Sequence, residues 1–314
     1  MAANSSILKK VIKTAIQKNY CKQPIQFLIY NNFDPVISSV LLFLFSAGEK
    51  SPGIVIKICK TAGIIKKEYE NLRILKSQLN YLVPEPLFFN RIDSFEVMAM
   101  EMVKGKHLDN LSVKSDLLSL LVDKMIIFHK TVQKGNLKHN QLNELINQSL
   151  NSIKSKDKNS PLRSFYSNII KELLENFDHF NFPKIPQHGD FFISNVLVNS
   201  NEIYILDWED FGQICIPGYD LYFLLLDLFA NERFLAERSP HKIMKIKNSI
   251  KENIIKYFES FSIPPKYSRF IFIITLLEQF EYSYRLGRSS IYYFWNRLMN
   301  YAENSEKYDH LFVI

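Results

Sequence analysis

The stretch Gln187–Gly212, QHGDFFISNVLVNSNEIYILDWEDFG, places carboxylate and amide side chains directly beside two apolar runs. The runs VLV and IYIL are short and are joined by the polar turn NSNE, which predicts a β-hairpin. Asn195 enters this hairpin, Asp207 leaves it, and Asp190 lies on the loop before it. The three side chains are therefore expected near one end of a rigid element.

Two carboxylates and an amide in this arrangement predict a metal site. Such groups offer hard oxygen ligands of the kind that Mg²⁺ prefers, and a remaining carboxylate can accept a proton from a hydroxyl. A single Asp in a polar turn is most often solvated. The ordered set of Asp190, Asn195 and Asp207 is poorly explained by chance, and we predict that it carries chemistry.

The chain changes from a β-rich to an α-rich pattern ahead of the hairpin. Strand-like segments alternate with polar or Pro-containing turns and surround one helical segment, KKEYENLRILKSQL. The strand-like segments read IQFLIY, VISSVLLFLF, GIVIKICK, VPEPLFF and EVMAMEMV. Beyond Lys104–Lys106 the pattern is helical almost to the end, apart from the hairpin. This order predicts an α+β chain with an antiparallel meander followed by a larger helical part.

The first residues predict an amphipathic helix, because apolar residues between Ile7 and Ile16 recur at helical spacing with lysines elsewhere on the wheel. Such a helix can lie on a membrane surface or pack against its own domain. The second interpretation is favoured.

The composition narrows the class of protein. The net charge of +7 comes mostly from lysines that are spread along 314 residues without a dense Arg cluster, which disfavours nucleic-acid binding and suits an enzyme that binds a triphosphate. Cys21, Cys59 and Cys215 lack metal or disulfide spacing. No signal peptide is evident, and the apolar runs are too short to span a bilayer. We expect a cytoplasmic protein without an integral membrane segment.

The set HGDFFISN followed by ILDWEDFG resembles the aminoglycoside phosphotransferase family and its relatives, the choline and ethanolamine kinases. The resemblance implies a bilobal protein-kinase-like fold, with a small antiparallel β-sheet lobe with one helix at 1–103 that ends in the hinge, and a larger α-helical catalytic and substrate-binding lobe at 104–314. It also implies that Asp190 orients or deprotonates the acceptor hydroxyl and that Asn195 and Asp207 hold Mg²⁺.

The resemblance further predicts a strand Lys that pairs with phosphates and a helix Glu that holds the Lys. Lys57 lies within the apolar strand GIVIKICK, where an unpaired charge would be costly to bury. Lys60 is the alternative at the end of that strand. Glu68 shares the helix face of the leucines that follow it, whereas Glu70 does not, so Lys57 and Glu68 are the predicted pair.

Other contacts to the nucleotide follow from the same resemblance. The segment MAMEMVKGKHL is similar to the hinge, so backbone groups of Glu101, Met102 and Val103 are expected to hydrogen-bond adenine. The loop over the phosphates would be NNFDPVISS, which lacks the usual glycines, and Ser38 and Ser39 are the candidates there. Because this loop matches the family pattern poorly, the sequence leaves the choice between ATP and GTP open.

Several further residues receive structural roles. Asp220, after the sequence IPGY, is expected to brace the catalytic loop from a buried helix start, where its carboxylate needs hydrogen bonds. His129 is interpreted as structural, and His188 shapes the loop without transferring a proton.

The acceptor is expected near Asp190, among the helices that follow DWE. An acidic cluster would suit a cationic acceptor, and the candidate acids are Asp227, Glu232, Glu237, Glu278 and Glu281. An aromatic cage could hold a quaternary ammonium group, and its candidates are Trp208, Tyr282, Tyr284, Tyr292, Tyr293, Phe294 and Trp295. Taken singly, each of these residues is more often core or solvated surface. A neutral sugar hydroxyl therefore remains open.

These observations favour a Mg²⁺-dependent phosphotransferase that moves the γ-phosphate of ATP, or of GTP, to a hydroxyl of an amino alcohol, an aminoglycoside or a sugar. Its partners would be a nucleotide triphosphate and that small molecule, without nucleic acid, in a monomer or dimer. The alternative is a non-catalytic pseudokinase that binds nucleotide or acts as a scaffold. A kinase for protein side chains is disfavoured, because no APE-like segment follows DWE.

Overall fold

A computed structural model describes residues 2–21, 26–33, 38–80, 82–108, 115–175, 181–200, 202–230 and 240–314. The strands are β1 (Gln26–Phe33), β2 (Ser38–Phe45), β3 (Ile54–Cys59), β4 (Pro86–Ile92), β5 (Phe95–Glu101), β6 (Lys106–His107), β7 (Val196–Asn199) and β8 (Glu202–Ile205). The helices are α1 (Ala2–Gln17), α2 (Ile64–Gln78), α3 (Ser115–Val132), α4 (His139–Lys156), α5 (Leu162–Glu175), α6 (Tyr219–Ala230), α7 (Pro240–Ser260), α8 (Ser268–Leu286), α9 (Ile291–Glu303) and α10 (Ser305–Phe312).

The chain divides into two compact units. Unit 1 comprises Met1–His107 and Asn195–Asp210, and unit 2 comprises Leu108–Ser194 and Phe211–Ile314. The lobes expected from the sequence, 1–103 and 104–314, stay a prediction.

Unit 1 contains a five-stranded antiparallel sheet in the order β1-β2-β3-β5-β4. Every residue of the central strand β3, IVIKIC, is buried. A strand covered on both faces is apolar at consecutive positions instead of alternating, and β3 departs from this only at Lys57. Leu41 on β2 and Met98 on β5 are the register partners of Lys57. Directly paired residues project from the same face of a sheet, so this face presents one charge among apolar groups.

The amphipathic helix α1 packs within unit 1. Ile7, Val11 and Ala15 are buried in one apolar cluster with Leu42 and Ile56 of the sheet. The helix therefore buries its apolar stripe in its own unit, which is the interpretation that the sequence favoured.

Helix α2 follows β3 and buries one face. Its buried residues are Ile65, Glu68, Leu72 and Leu75, spaced three or four residues apart. Residues at this spacing share one helix face, and the pattern therefore places a carboxylate within an otherwise apolar stripe.

The predicted hairpin is formed by β7 and β8, with Val196 opposite Ile205. Strand β6 adds a third member to this small sheet. Immediately before β6, a Cβ atom on Gly105 would lie 3.1 Å from the Leu197 side chain and 3.2 Å from the Val198 carbonyl oxygen. The glycine therefore permits the chain to approach β7 closely.

Unit 2 is built from helices around an aromatic core. Helix α8 is buried from Phe270 to Ser283, as expected for a helix that is apolar around most of its circumference. Among the described residues, no helix combines the length and apolar character needed to cross a bilayer. The three cysteines are free thiols.

Candidate functional site

Unit 1 gathers three carboxylates around one buried ammonium. The Lys57 Nζ atom lies 2.8 Å from Glu68 Oε2, 2.7 Å from Asp207 Oδ1 and 3.4 Å from Glu209 Oε2. Lys57 comes from β3, Glu68 from α2, and the two other acids from the segment that leaves β8. The structure thus brings together three of the sequence-predicted residues and adds Glu209.

Burial and charge act in opposite directions in this cluster. Burial lowers the pKa of Lys57, but the charges of Asp207, Glu68 and Glu209 more than offset this effect and hold the pKa well above its ordinary value. Burial raises the pKa of Glu68 to about 7 against the opposing effect of the Lys57 charge. Three acids against one base leave an excess of negative charge when all are ionised, which suits a divalent cation.

The partners of Lys57 are held by contacts from elsewhere in unit 1. The Glu96 carboxylate accepts hydrogen bonds from the N–H groups of Gly63 (2.9 Å) and Lys66 (3.2 Å), at the start of α2. Farther along α2, the Asn71 amide donates to the Trp208 carbonyl oxygen (2.8 Å). Helix α2 is therefore tied both to the sheet and to the segment that follows Asp207.

Burial separates the predicted pair from its alternatives. Lys57 is 5% exposed and Glu68 is 1% exposed. Lys60 and Glu70 are exposed, and Glu70 forms a 3.7 Å surface pair with Lys66. A surface pair of this kind contributes little to stability.

A cavity of about 200 Å³ lies beside the cluster within unit 1. Its walls are mainly apolar and include Leu41, Phe43, Val55, Leu72 and Met100. Lys57, Glu68 and Asp207 also line it. One side of this cavity is therefore charged and the rest is suited to a flat apolar group.

The predicted hinge residues line the same cavity. The Glu101 N–H donates to the Glu85 carbonyl oxygen (2.9 Å), and the Met102 N–H donates to the Gly53 carbonyl oxygen (3.1 Å). Within the described part of the chain, the Val103 N–H donates no backbone hydrogen bond. Val103 is therefore the hinge residue with a donor to offer to a ligand.

The structure gives less support to the predicted phosphate loop. Ser39 is buried, at 4% exposure, and is not part of the cavity wall. Ser38 pairs with Phe33 at the start of β2. Residues 34–37 of the loop lie outside the described residues, so the role of the loop stays a prediction.

The donor set of unit 1 fits a hard divalent cation. Oxygen atoms of Glu68, Asp207 and Glu209 lie within 4.8 Å of one another. Asn195 immediately precedes β7, and its carbonyl oxygen accepts the Leu206 N–H (2.9 Å), which ties it to the residue before Asp207. Carboxylate and amide oxygens are appropriate ligands for Mg²⁺ or Ca²⁺.

Asp190 belongs to unit 2, on a loop held by the predicted brace. The buried Asp220 carboxylate accepts the His188 N–H (2.7 Å) through Oδ2 and the Gly189 N–H (3.1 Å) through Oδ1. Gly189 has φ 91, a backbone conformation that disfavours other residues. Asp190 itself is partly buried, and its N–H donates to His188 Nδ1 (3.3 Å).

His129 has the structural role expected of it. The side chain is fully buried, with Nδ1 2.8 Å from the Tyr257 hydroxyl and Nε2 3.1 Å from Asp220 Oδ2. It therefore supports the carboxylate that braces the loop.

The candidate acceptor acids differ sharply in their partners. Asp227 is engaged by Ile193, Tyr293 and Arg297. Glu281 pairs with Arg285 at 3.1 Å. Glu278 is 7% exposed and has no hydrogen bond or ion pair within the described residues; burial, reinforced by the charge of Glu281 and opposed by that of Arg285, raises its pKa to about 8. The remaining two candidates, Glu232 and Glu237, lie outside the described residues.

The candidate aromatic residues do not form one cage. Trp208 is fully buried in unit 1 and donates to the Ile205 carbonyl oxygen. Tyr292 is 67% exposed. Tyr293 and Phe294 lie against the guanidinium of Arg297, at 4.4 and 5.5 Å from their ring centroids. The cation that these two rings contact therefore belongs to the chain itself.

Sequence reasoning overlooked two carboxylates with defined contacts, Glu209 and Glu96, and interpreted a third, Asp227, as a candidate acceptor acid. Glu209 is two residues beyond Asp207 in the quoted motif, and this proximity was an available signal. Glu96 and Asp227 accept backbone N–H groups that are remote in sequence, and no local pattern indicates such contacts.

Comparisons with known proteins agree with this arrangement. The model of a family described as the phosphotransferase enzyme family matches residues 54–239, more than half of the chain. The Protein LicA homolog of Metamycoplasma hominis is 24% identical over 142 residues, a match that covers 45% of this chain and 55% of that protein. The chain thus spans little more than half of that relative.

Solved structures of low sequence identity share the fold. Amicoumacin kinase hAmiN, in complex with AMP-PNP, Ca²⁺ and Ami, has a TM-score of 0.55 at 15% identity over 93% of each chain. Spectinomycin phosphotransferase APH(9)-Ia, in complex with ADP and spectinomycin, has a TM-score of 0.55 at 13% identity over 95% of this chain and 98% of its own. Aminoglycoside phosphotransferase APH(4)-Ia has a TM-score of 0.58 at 13% identity over 94% and 98%. The predicted fold class is confirmed.

Proposed function

The chain belongs to the phosphotransferase enzyme family, and on that premise we propose that it transfers the γ-phosphate of ATP or GTP to a hydroxyl group of a small molecule. The observation that carries the proposal is the Lys57 cluster, in which one buried ammonium contacts three carboxylates beside an apolar cavity. A purely structural ion pair needs one carboxylate for each ammonium, whereas phosphates and a divalent cation need both signs of charge in one place.

Each residue of the cluster has a distinct part in this proposal. Lys57 contacts the phosphates of the nucleotide, and Glu68 fixes the Lys57 side chain. Asn195 and Asp207 hold a divalent cation, Mg²⁺ in our proposal, and Glu209 offers a further oxygen. Such a cation, when bound, neutralises charge on the phosphates. Asp190 orients the acceptor hydroxyl and accepts its proton.

The cavity supports a role for unit 1 in holding the nucleotide base. Its volume of about 200 Å³ is below the roughly 300–1,000 Å³ of sites that enclose a whole drug-sized ligand. It therefore suits part of a nucleotide, with the ring against the apolar wall and the phosphates towards Lys57. The Val103 N–H is the hinge donor that we assign to the base.

Glu278 is the described acid with the best case for contacting the acceptor. Asp227 and Glu281 already have partners, whereas Glu278 is buried and has no partner among the described residues. Burial has the largest effect in raising the pKa of Tyr219, and the charges of Glu278 and Asp190 raise it further, which supports a role for both groups near one acceptor. We propose that an acceptor amine pairs with Glu278, which favours an amino alcohol or an aminoglycoside over a neutral sugar.

A panel of acceptors tests the proposal. The full chain would be incubated with ATP or GTP, Mg²⁺ and, in turn, choline, ethanolamine, homoserine, hygromycin B, spectinomycin or a neutral sugar, and nucleoside diphosphate would be measured. We expect turnover with one amine-bearing acceptor, which Asp190→Asn reduces at least about 100-fold while nucleotide binding is retained.

Two results would count against the proposal. A thermal shift with nucleotide and no turnover on any acceptor would favour a pseudokinase. Undiminished turnover by Asp190→Asn would remove Asp190 from its assigned role.

A further inference from the structure

Asp227 has a contact that links helix α6 to the loop of Asp190. Its Oδ2 atom accepts the Ile193 N–H at 3.0 Å, and its Oδ1 atom accepts the Tyr293 hydroxyl at 2.9 Å. The Arg297 guanidinium lies 3.5 Å from the same Oδ1 atom. The Asp227 side chain is only 12% exposed, so these charge-assisted contacts are formed largely out of water.

Arg297 is fixed in place by groups other than Asp227. Its terminal nitrogens donate to Gln279 Oε1 (2.9 Å) and to the Tyr293 hydroxyl (2.6 Å). Its guanidinium carbon lies 4.4 Å from the centre of the Tyr293 ring and 5.4 Å from that of Phe223. A guanidinium that is hydrogen-bonded in its plane and stacked on aromatic faces has few alternative positions, so it holds the Asp227 carboxylate in one orientation.

Helix α6 therefore contacts the loop through two carboxylates. Asp220 accepts the N–H groups of His188 and Gly189, before Asp190, and Asp227 accepts that of Ile193, after it. The two acids are seven positions apart in the sequence, about two helical turns, which places both on one face of α6. The backbone on either side of Asp190 is thus attached to one rigid helix.

We propose that Asp227, oriented by Arg297 and Tyr293, is a positioning residue for the phosphotransferase reaction, and that it acts by fixing the backbone that follows Asp190. This inference rests on the proposed function. Misplacing a reacting group by about 1 Å can lower a rate roughly 100-fold, so a second attachment point has a direct kinetic consequence.

The test compares two Tyr→Phe variants of the full chain. Tyr293→Phe removes the hydroxyl that donates to Asp227, and the control Tyr301→Phe removes a hydroxyl that donates to Asp309 at the same distance, 2.9 Å, away from the loop. Asp227→Asn is the stronger variant, because it also removes the charge that faces Arg297. Hydrogen exchange of the Ile193 amide, measured by NMR, reports the attachment without any acceptor.

We expect exchange of the Ile193 amide to accelerate about tenfold in Tyr293→Phe and more in Asp227→Asn, with little change in Tyr301→Phe. For an acceptor and ATP with Mg²⁺, we expect kcat to fall about threefold in Tyr293→Phe and between tenfold and 100-fold in Asp227→Asn. The KM for ATP should change less than twofold, since the proposed nucleotide cavity belongs to unit 1.

The outcomes separate this inference from the proposed function. Unchanged Ile193 exchange in Asp227→Asn, or an equal loss of kcat in Tyr293→Phe and Tyr301→Phe, would overturn the positioning role. Accelerated Ile193 exchange with normal kcat would overturn it as well. If the wild type phosphorylates no acceptor, the proposed function fails and the kinetic role of Asp227 fails with it, while the exchange data alone decide whether Asp227 anchors the loop.

Discussion

The two units use their carboxylates in opposite ways. In unit 1, Glu68, Asp207 and Glu209 converge on a single ammonium, and the Asp207 side chain remains 45% exposed. In unit 2, Asp220 and Asp227 direct their oxygens at backbone N–H groups and are largely sealed from water.

The difference shows that the role of a carboxylate can be inferred from the groups that it contacts. A carboxylate whose oxygens accept backbone N–H groups fixes a conformation and has little capacity left for a ligand. Carboxylates that outnumber their cation retain oxygens for a metal ion or a phosphate-bound partner. Burial alone does not make this distinction, because Glu68 and Asp220 are both almost completely buried.

Replacing Lys57, the ammonium at the centre of the unit 1 cluster, is expected to have the largest effect on activity. A small effect would contradict the contrast between the two units. Lys57→Met leaves three carboxylates without their cation and removes the proposed contact to phosphate. We expect kcat/KM for nucleotide to fall about 100- to 1,000-fold. Lys60→Met, at the residue directly after the same buried segment and exposed to solvent, is the matched control and should stay within about twofold. Equal losses in both variants would contradict the assignment.

Glu278 sharpens the comparison, because it is a buried carboxylate that has neither kind of partner in the part of the chain that the structure describes. Its pKa is raised from 4.5 to about 8, so the folded chain keeps a proton that the unfolded chain releases above about pH 4.5. The free energy of unfolding of the wild type should therefore decrease as the pH rises from 4.5 to about 8, by up to about 1.4 kcal/mol per pH unit from this group.

Glu278→Gln removes this titration. In urea unfolding at several pH values, the stability of Glu278→Gln relative to the wild type should increase with pH up to about pH 8. A stability difference that is independent of pH would show that Glu278 is ionised in the folded chain.

Glu96 is a carboxylate of unit 1 that accepts backbone N–H groups, as Asp220 and Asp227 do in unit 2. It therefore tests whether the partner of a carboxylate, and not the unit it belongs to, determines its role. Burial acts to raise its pKa, but hydrogen bonds from the Gly63 and Lys66 amides and from Arg91 outweigh this effect and lower it. We expect Glu96→Gln to cost about 1–2 kcal/mol of unfolding free energy at neutral pH. Because the folded-state pKa is lowered, this cost should shrink as the pH falls through that pKa. Urea unfolding of both proteins at neutral and acidic pH measures this cost. A cost that does not shrink at acidic pH would contradict the prediction.

An exposed ion pair is expected to make the smallest contribution to stability and serves as the baseline for the other charge contacts. Lys10 and Asp93 join α1 to the turn before β5 at 2.8 Å, with side chains 50% and 57% exposed. In a double-mutant cycle with Lys10→Gln and Asp93→Asn, we expect a coupling energy below about 0.5 kcal/mol. A coupling as large as the Glu96 effect would show that exposure does not weaken charge pairs in this unit.

Much of the fold and part of the site could be predicted because the signals are local. The period of apolar residues predicted α1, α2 and the strands of the sheet. The cost of burying one lysine in an apolar strand identified Lys57, and the inward stripe of α2 identified Glu68. These inferences need only the neighbours of each residue along the chain.

The remaining features depend on contacts between distant segments. Nothing in the sequence around Glu96 indicates that it caps α2, which begins about 30 residues earlier. Tyr293 and Phe294 look like candidates for a ligand cage, yet the fold places Arg297 against them. Asp227 resembled an acceptor acid for the same reason, since a sequence does not display the backbone N–H group that an acid will meet.

The attachment of one loop to α6 at two points restricts how this segment can vary in length. Inserting or deleting one residue between Asp220 and Asp227 would rotate one acid about 100° away from the other around the helix axis. Point substitutions at the intervening positions preserve this phase, whereas single-residue indels destroy it. Homologues and engineered libraries that keep both acids should therefore conserve the interval between them more strictly than the identity of the residues inside it.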